Sequence, residues 1–197
     1  MHKIALLILL CLSLTGCLEF VAGATVGTVV GGVVANDRRS LKTMAQDQNI
    51  AYECNLRLLS AKQIKDNRVV ATVFNHTVLL IGEVSCCDQK QLAENIVRCV
   101  PHVRRIFNEI TIGAPISSVT QSQDAWITTK LRGEMATYKC LFGNPIKVVT
   151  ENGVVYLMGI VTPEQANVAV EVARQTAGVE CVVKLFEYTA SPCTCTN

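Results

Sequence analysis

Hydrophobic and polar residues follow the same order twice along the chain. Residues 67–84 and 144–161 align at a constant offset of 77 positions and share six identities. In each segment two short apolar runs flank a turn, which in the second segment is Asn152-Gly153. Asn-Gly favours a type I′ hairpin, because both central positions of that turn need positive φ. The matched segments therefore predict two copies of one module.

Each copy is predicted to run helix, strand, turn, strand, helix, strand. Asp47 and Asp124 match at the same offset and are the expected N-caps of the first helices. The second helices are expected at 88–99 and 163–177, where aliphatic residues and alanines recur at helical spacing. The strands are expected at 69–74, 77–84 and 103–112, then at 146–151, 154–161 and 180–189. This order predicts the α+β class, with two tandem modules that each pack two helices on a small mixed three-stranded sheet.

The second strand of each copy is apolar on both of its faces. Val78 and Leu80 point to one face of the sheet, and Leu79 and Ile81 point to the other. A sheet with two apolar faces needs cover on both. We therefore expect the two sheets to pack on each other or on the connecting segments.

The first residues have the pattern of an export signal. A basic start is followed by an apolar run that is too short to span a bilayer. The run ends in Leu14-Thr15-Gly16-Cys17, which resembles a bacterial lipobox, so residues 1–16 are the expected signal peptide and Cys17 the expected lipidation site. The alternative is a plain signal peptide followed by a chance cysteine. The residue after Cys17 is Leu18. An aspartate at this position would favour retention in the inner membrane, so the leucine favours the outer membrane.

The remaining boundaries follow from composition. Residues 17–46 are expected to be a Gly/Val-rich tether, 47–112 the first module, 113–123 a linker, 124–189 the second module, and 190–197 a cysteine-containing tail. Within the tether, residues 18–35 carry glycines at every fourth position, which also suits a membrane helix. Glycine, valine and threonine make poor helix, and a second anchor beside a lipid is redundant. A flexible or surface-hugging tether is therefore favoured over an inserted helix.

Composition excludes several classes of function. With 18 basic and 16 acidic residues the chain carries no dense positive field, so nucleic acid is not an expected partner. Three histidines, with His76 expected in a hairpin turn, leave little for acid–base or metal chemistry. No nucleophile–base pair or phosphate-binding loop is recognisable. We therefore expect no catalytic residues, no metal and no cofactor, and a protein that is not an enzyme.

Beyond Cys17 the mature chain has eight cysteines, which are open to more than one interpretation. An even number in an oxidising compartment permits disulfides, but the sequence does not fix their pairing. Some could be buried small hydrophobic residues, and a lone Cys-X-Cys pair is weak evidence for zinc. The residues concerned are Cys54, Cys86, Cys87, Cys99, Cys140, Cys181, Cys193 and Cys195.

The first helix of the second copy carries the strongest candidate site. At about 100° per residue its apolar positions form one expected buried stripe, made of Ile127, Leu131, Met135 and Tyr138. A second stripe, on another side of the helix, contains Trp126, Lys130, Gly133 and Thr137, with Arg132 near its edge. A tryptophan beside a lysine suits a lipid interface, because indole enters the headgroup region while the ammonium meets phosphate. The alternative is that Trp126 covers the core or packs against the linker and that Lys130 and Arg132 are ordinary solvated charges.

The first copy lacks these features at the matching positions, which are Asn49, Glu53, Asn55 and Leu56. A surface with Glu53 and no aromatic would be repelled by anionic lipid, so we expect the second module alone to face the membrane. A basic cluster near the last strand of the first copy could be a second phosphate patch, but a solvated edge is favoured. That cluster is Arg98, His102, Arg104 and Arg105.

Several of these features together resemble a known family. The hairpin, Gly82 and Gly159, and a valine before each last strand resemble the BON domain. With the lipobox, the tether and the string at 124–130, the chain is similar to dual BON-domain outer-membrane lipoproteins. The resemblance implies a periplasm-facing lipoprotein that binds anionic phospholipid through its second module and supports envelope integrity, including at division sites. The competing expectation is a scaffold that docks onto outer-membrane assembly proteins or cell-wall machinery.

Overall fold

The computed structural model describes residues 37–64, 67–141 and 144–190. The predicted signal peptide, Cys17 and most of the predicted tether lie outside the described residues, as do Cys193 and Cys195. The elements in chain order are α1 (Leu41–Ser60), β1 (Arg68–Phe74), β2 (Thr77–Val84), α2 (Cys87–Arg98), β3 (Arg105–Asn108), β4 (Thr111–Ile112), α3 (Ser118–Ala136), β5 (Lys147–Glu151), β6 (Val154–Val161), α4 (Pro163–Gln175) and β7 (Cys181–Tyr188). The α+β class and the repeated order of elements are confirmed.

The two sheets share one topology and differ at their closing strand. In the second module β6 pairs antiparallel with β5 and parallel with β7, which is the expected mixed three-stranded sheet. In the first module β2 pairs antiparallel with β1 and parallel with both β3 and β4. There the closing strand is interrupted where Glu109 N donates to Leu80 O at 2.9 Å and the side chain of Ile110 is buried. This sheet therefore has four strands, where three were expected.

Both hairpin turns have the predicted backbone geometry. Asn75 and His76 have φ of 49° and 61°, and Asn152 and Gly153 have φ of 48° and 74°. Positive φ at both central positions is the requirement of a type I′ turn. His76 is thus a turn residue, as expected.

The prediction that the first helices begin at Asp47 and Asp124 is wrong. Helices α1 and α3 begin earlier and are capped by Ser40 and Ser117, whose hydroxyls accept from the backbone N–H three residues on. The two aspartates are buried inside the helices. The carboxylate of Asp124 accepts the N–H of Asn152 and of the following glycine at 2.8 and 2.9 Å.

Asp47 makes the same pair of hydrogen bonds in the first module. Its carboxylate accepts the N–H of Asn75 at 2.7 Å and of His76 at 2.8 Å. A positive-φ turn leaves these two N–H groups without a strand partner, so a buried carboxylate satisfies both. The matching aspartates therefore fasten each first helix to its hairpin, and Arg39 adds an ion pair to Asp47 at 3.0 Å.

Each module has its own core between its helices and its sheet. Val78 and Leu80 of β2 belong to the first core, and Val155 and Leu157 of β6 belong to the second. A third core lies between the two sheets, and it is built from Phe74, Leu79, Ile81, Tyr156, Met158 and Leu185. The expectation that the sheets pack on each other is confirmed. The layers are helices, sheet, sheet, helices, so the helices of the two modules lie on opposite sides of the molecule.

Polar contacts also join the two sheets. The guanidinium of Arg68 pairs with the carboxylate of Glu151, and Lys147 Nζ donates to Val73 O at 3.0 Å. Burial raises the pKa of Glu151 above its usual value, and the nearby carboxyl of Glu83 adds to the rise while Arg68 opposes it. These contacts fix the register of one sheet over the other.

The described cysteines are free thiols, and Cys54 is buried while Cys140 is partly exposed. Burial raises the pKa of Cys54 to about 11, so this residue behaves as a small core hydrophobe. Across the described ranges, no helix combines the length and the apolar character needed to cross a membrane.

Candidate functional site

The candidate surface lies on α3, which packs on the outer side of the second sheet. Ile127, Leu131 and Met135 are buried in the module core, as predicted. Trp126 lies on the opposite side of the helix and is 54% exposed. The alternative in which the indole covers the core does not hold in this structure.

Lys130 lies directly beside the indole. Its Nζ is 5.0 Å from the centroid of the Trp126 ring, within the range of a cation–π contact. The same Nζ is 3.8 Å from a carboxylate oxygen of Glu134, whose other oxygen accepts the hydroxyl of Thr176 at 2.7 Å. Two partners therefore hold the ammonium near the aromatic ring while leaving it partly exposed.

Gly133 and Thr137 continue the same exposed side of the helix. A Cβ built at Gly133 would meet nothing within 4 Å, so no neighbour inside the protein requires a glycine there. Thr137 is the C-cap, and its hydroxyl donates to Glu134 O at 2.7 Å. A residue without a side chain on an exposed helix interior costs stability. The absence of a side chain at Gly133 lets a planar surface, such as a membrane, come close to the helix backbone.

Arg132 is turned away from these residues. Its Nη2 donates to the carbonyl of Val148 in β5 at 2.8 Å. In the first module, Asn55 stands at the matching position and bonds both the N–H and the carbonyl of Ala71, the residue that matches Val148. Arg132 therefore fastens the helix to the edge strand, and only the rest of its exposed guanidinium is available to a ligand.

Two residues at the ends of α3 differ from the sequence analysis. Tyr138 was expected in the buried stripe, but the helix ends at Ala136 and Tyr138 is exposed. Val119 was assigned to the linker, but it lies in the first turn of α3, seven residues before Trp126, and is exposed. Seven residues are about two helical turns, so both side chains lie on one side of the helix. The Trp126 surface is here defined as Val119, Trp126, Lys130, Gly133 and Thr137.

A groove borders this surface. It lies between α3 and the Ala177-Gly178 turn, with a volume of about 480 Å³, and Trp126 forms part of its wall. The hairpin turn at Asn152 closes one side, and Glu180 lines it as well. The indole therefore stands at the edge of a concave site, where a flexible ligand can contact both the ring and the groove.

The corresponding helix of the first module carries exposed apolar residues outside the positions that match the Trp126 side. Asn49 and Glu53 hold the predicted positions, and Glu53 accepts from Arg57 Nε at 2.8 Å. However, Tyr52 and Leu59 are 70% and 77% exposed on the same helix. The alignment missed them because it compared only the positions that match the Trp126 side. The positions that match the Trp126 side carry no aromatic residue, but the helix presents Tyr52 beside them.

Two arginines of the basic cluster of the first module have separate partners. Arg98 pairs with Glu94 one turn earlier on α2. Arg104 donates to Asn75 O at 2.8 Å and lies 3.8 Å from Glu187. Such contacts are typical of a solvated edge rather than of a phosphate site.

A family model for the BON domain matches residues 46–114 and 123–190. The chain is 35% identical over 189 residues to the outer membrane lipoprotein DolP of Haemophilus influenzae, and the aligned region covers 95% of this chain and 96% of that protein. It is 34% identical over 153 residues to a 21 kDa hemolysin of Actinobacillus pleuropneumoniae, covering 77% and 79%. Among solved structures, CdsD, a structural protein of the type III secretion system of Chlamydia trachomatis, aligns at 12% identity and a TM-score of 0.31 over 72% of this chain and 92% of that chain.

Proposed function

Because this chain belongs to the BON-domain family, we propose that it is an outer-membrane lipoprotein that binds anionic phospholipid through the Trp126 surface and supports envelope integrity, including at division sites. Its role is non-enzymatic, and Cys17 is its lipid anchor. The relative named as an outer membrane lipoprotein matches almost the whole chain, which supports the location. The anchored chain faces the periplasm.

One observation carries the lipid proposal. An indole that is 54% exposed has an ammonium 5.0 Å from its ring centroid, on a helix side that points away from the protein core. The ring supplies apolar surface with a polar N–H edge, which is the combination found at membrane–water interfaces. The ammonium supplies the attraction to phosphate. Val119 extends the apolar area by two turns along the helix.

The expected affinity of the surface alone is modest. Each basic residue near an anionic membrane contributes about 1 kcal/mol, and burial of the indole contributes about 1.5–3 kcal/mol. Glu134 offsets part of the attraction, because its carboxylate lies 3.8 Å from the Lys130 ammonium. Weak binding becomes effective because a lipid anchor keeps the module at high local concentration beside the bilayer.

A vesicle assay tests the proposal. The soluble chain should start at Asp37, because Asp37 and Arg39 pair with each other and Arg39 with the first module. We expect sedimentation with phosphatidylglycerol-containing vesicles and little with purely zwitterionic ones. Trp126→Glu combined with Lys130→Glu should weaken binding by at least about tenfold, since each 1.4 kcal/mol corresponds to that factor.

A control pair makes the same change of charge elsewhere. Tyr188 and Lys184 are an exposed aromatic and an exposed lysine on β7. Tyr188→Glu combined with Lys184→Glu should leave vesicle binding near that of the parent. Equal losses in the two pairs would mean that net charge alone drives binding, and no preference for anionic vesicles would reject the proposal.

A further inference from the structure

An exposed apolar stripe runs along α1 of the first module. Its members recur at spacings of three and four residues and lie on the side of the helix opposite the buried Ile50 and Cys54. They are Leu41, Ala45, Gln48, Tyr52, Leu56 and Leu59, named here the Tyr52 stripe, and all six are exposed. Single exposed apolar residues are ordinary, but five apolar residues on one side of a helix, interrupted only by Gln48, mark an interaction surface.

A groove runs along one side of this stripe. It lies between α1 and the Val100–His102 turn, holds about 550 Å³, and has Tyr52 in its wall. Asn49, Glu53 and Arg57 supply polar groups to the same wall. A ridge of apolar side chains beside a groove with a few polar groups is the arrangement into which an amphipathic helix docks.

The charge around the stripe is basic. Lys42 and Lys62 are exposed near its two ends. Glu53, which borders it, is engaged by Arg57 at 2.8 Å. An apolar helix with acidic residues along its edges would be complementary to this surface, because its carboxylates would lie near the two lysines.

The layer order separates this stripe from the Trp126 surface. Helix α1 covers the outer side of the first sheet and α3 the outer side of the second, with the shared core of the two sheets between them. If the Trp126 surface lies on a bilayer, the Tyr52 stripe faces away from that bilayer. An isologous pair of two copies through the stripe would turn their Trp126 surfaces in opposite directions, so one membrane could not bind both.

We propose that the Tyr52 stripe is a docking surface for another protein of the envelope, which presents an amphipathic helix with an apolar face bordered by aspartate or glutamate. The choice of a protein over a bilayer rests on the proposed function, because it depends on which side of the molecule faces the lipid. The protein would then connect phospholipid on one side to a protein on the other.

In-cell photo-cross-linking of the full lipidated chain tests this. The probe is p-benzoylphenylalanine placed at position 52 or 59, with position 91, an exposed site on α2, as the background control. We expect the probes at positions 52 and 59 to form adducts with a protein other than this chain. The cross-linked peptide of that partner should form a helix with an apolar face and acidic edges. Leu56→Glu should reduce these adducts at least about tenfold, and Lys42→Glu with Lys62→Glu should also reduce them.

Two controls separate this inference from the proposed function. Ile112→Glu, at an exposed apolar residue of β4, should leave the adducts unchanged. Trp126→Glu should weaken binding of the soluble chain to anionic vesicles but keep the adduct at position 52. Adducts with a differently tagged second copy, adducts with lipid, or no adduct above position 91 would each overturn the inference. A further probe at position 126 tests the proposed function, which lipid adducts at position 52 and none at position 126 would overturn as well.

Discussion

Because the two sheets pack on each other, we expect a charged residue in their shared core to lower the free energy of unfolding strongly. Ile81 of β2 is 4% exposed and lies in the core shared by the two modules. Ile81→Glu removes the burial of an isoleucine, about 2 kcal/mol, and leaves a carboxylate in a dry interface without a partner, about 3 kcal/mol or more. A loss of about 5 kcal/mol is comparable with the whole stability of many domains, which is about 5–15 kcal/mol.

The assay is urea unfolding of the soluble chain followed by circular dichroism. Ile112→Glu is the matched control, because the same substitution at this 54% exposed isoleucine of the same module should change the free energy of unfolding by at most about 0.5 kcal/mol. Ile81→Glu should either lower the midpoint strongly or leave the chain unfolded without urea. If the two variants had the same midpoint as the parent, the two sheets would not be packed together in solution.

A second substitution tests the interface from the other module. Met158 of β6 is buried in the same shared core. Met158→Glu should destabilise the chain as Ile81→Glu does, and a chain with both changes should lose less than the two losses added together. The reason is that the first carboxylate already opens the interface to water, and residues in contact are not additive. Full additivity would show that each change damages its own module alone.

Three further predictions follow from individual contacts. Glu151→Gln should stabilise the chain at neutral pH, because the raised pKa of Glu151 means that the folded chain favours the protonated carboxyl, whose contribution to stability is fully present below the usual carboxyl pKa and is lost as the pH rises through the raised value. In urea unfolding, the advantage of Gln over the parent should therefore shrink in acid. A loss of stability at neutral pH would show that the Arg68 ion pair dominates. Asp124→Ala should cost about 2–4 kcal/mol in thermal unfolding because two turn N–H groups lose a charged acceptor, and an effect no larger than that of a surface alanine would contradict this role. Gly133→Ala should raise the free energy of unfolding by about 0.5–1 kcal/mol, since nothing lies within 4 Å of the added Cβ, while Gly133→Glu should weaken vesicle binding; unchanged vesicle binding by Gly133→Glu would show that lipid does not contact the Trp126 surface at Gly133.

The duplicated pattern predicts the order of the elements, the hairpin turns and the second apolar face of each sheet. Alternation in β2 placed Leu79 and Ile81 on a second apolar face, and only another apolar surface can cover that face. The same comparison failed at Asp47 and Asp124. An aspartate before an apolar stripe is a good N-cap, and nothing local distinguishes it from a buried acceptor that bonds a turn 28 residues later.

The surfaces were harder to predict than the core. Core positions are constrained to coincide in the two copies, so aligned positions show them. Exposed positions are free to diverge, and Tyr52 occupies a position whose counterpart in α3 is Thr129. A comparison restricted to the counterparts of Trp126 therefore missed the aromatic of α1. Val119 was missed for a different reason, because a serine-rich stretch was assigned to the linker although Ser117 caps a helix there.

The two modules of the chain pack face to face, and this packing determines where the residues that differ between α1 and α3 are exposed. Each sheet buries one face against the other sheet, so the equivalent helices α1 and α3 lie on opposite sides of the molecule. If the modules could rotate freely, both helices could reach one bilayer, and a difference between them would select nothing. The Arg68–Glu151 pair and the bond from Lys147 to Val73 O resist that rotation. A rigid interface therefore lets one module be specialised for lipid and the other for a protein, and the shared core is the part of the structure on which both proposed surfaces depend.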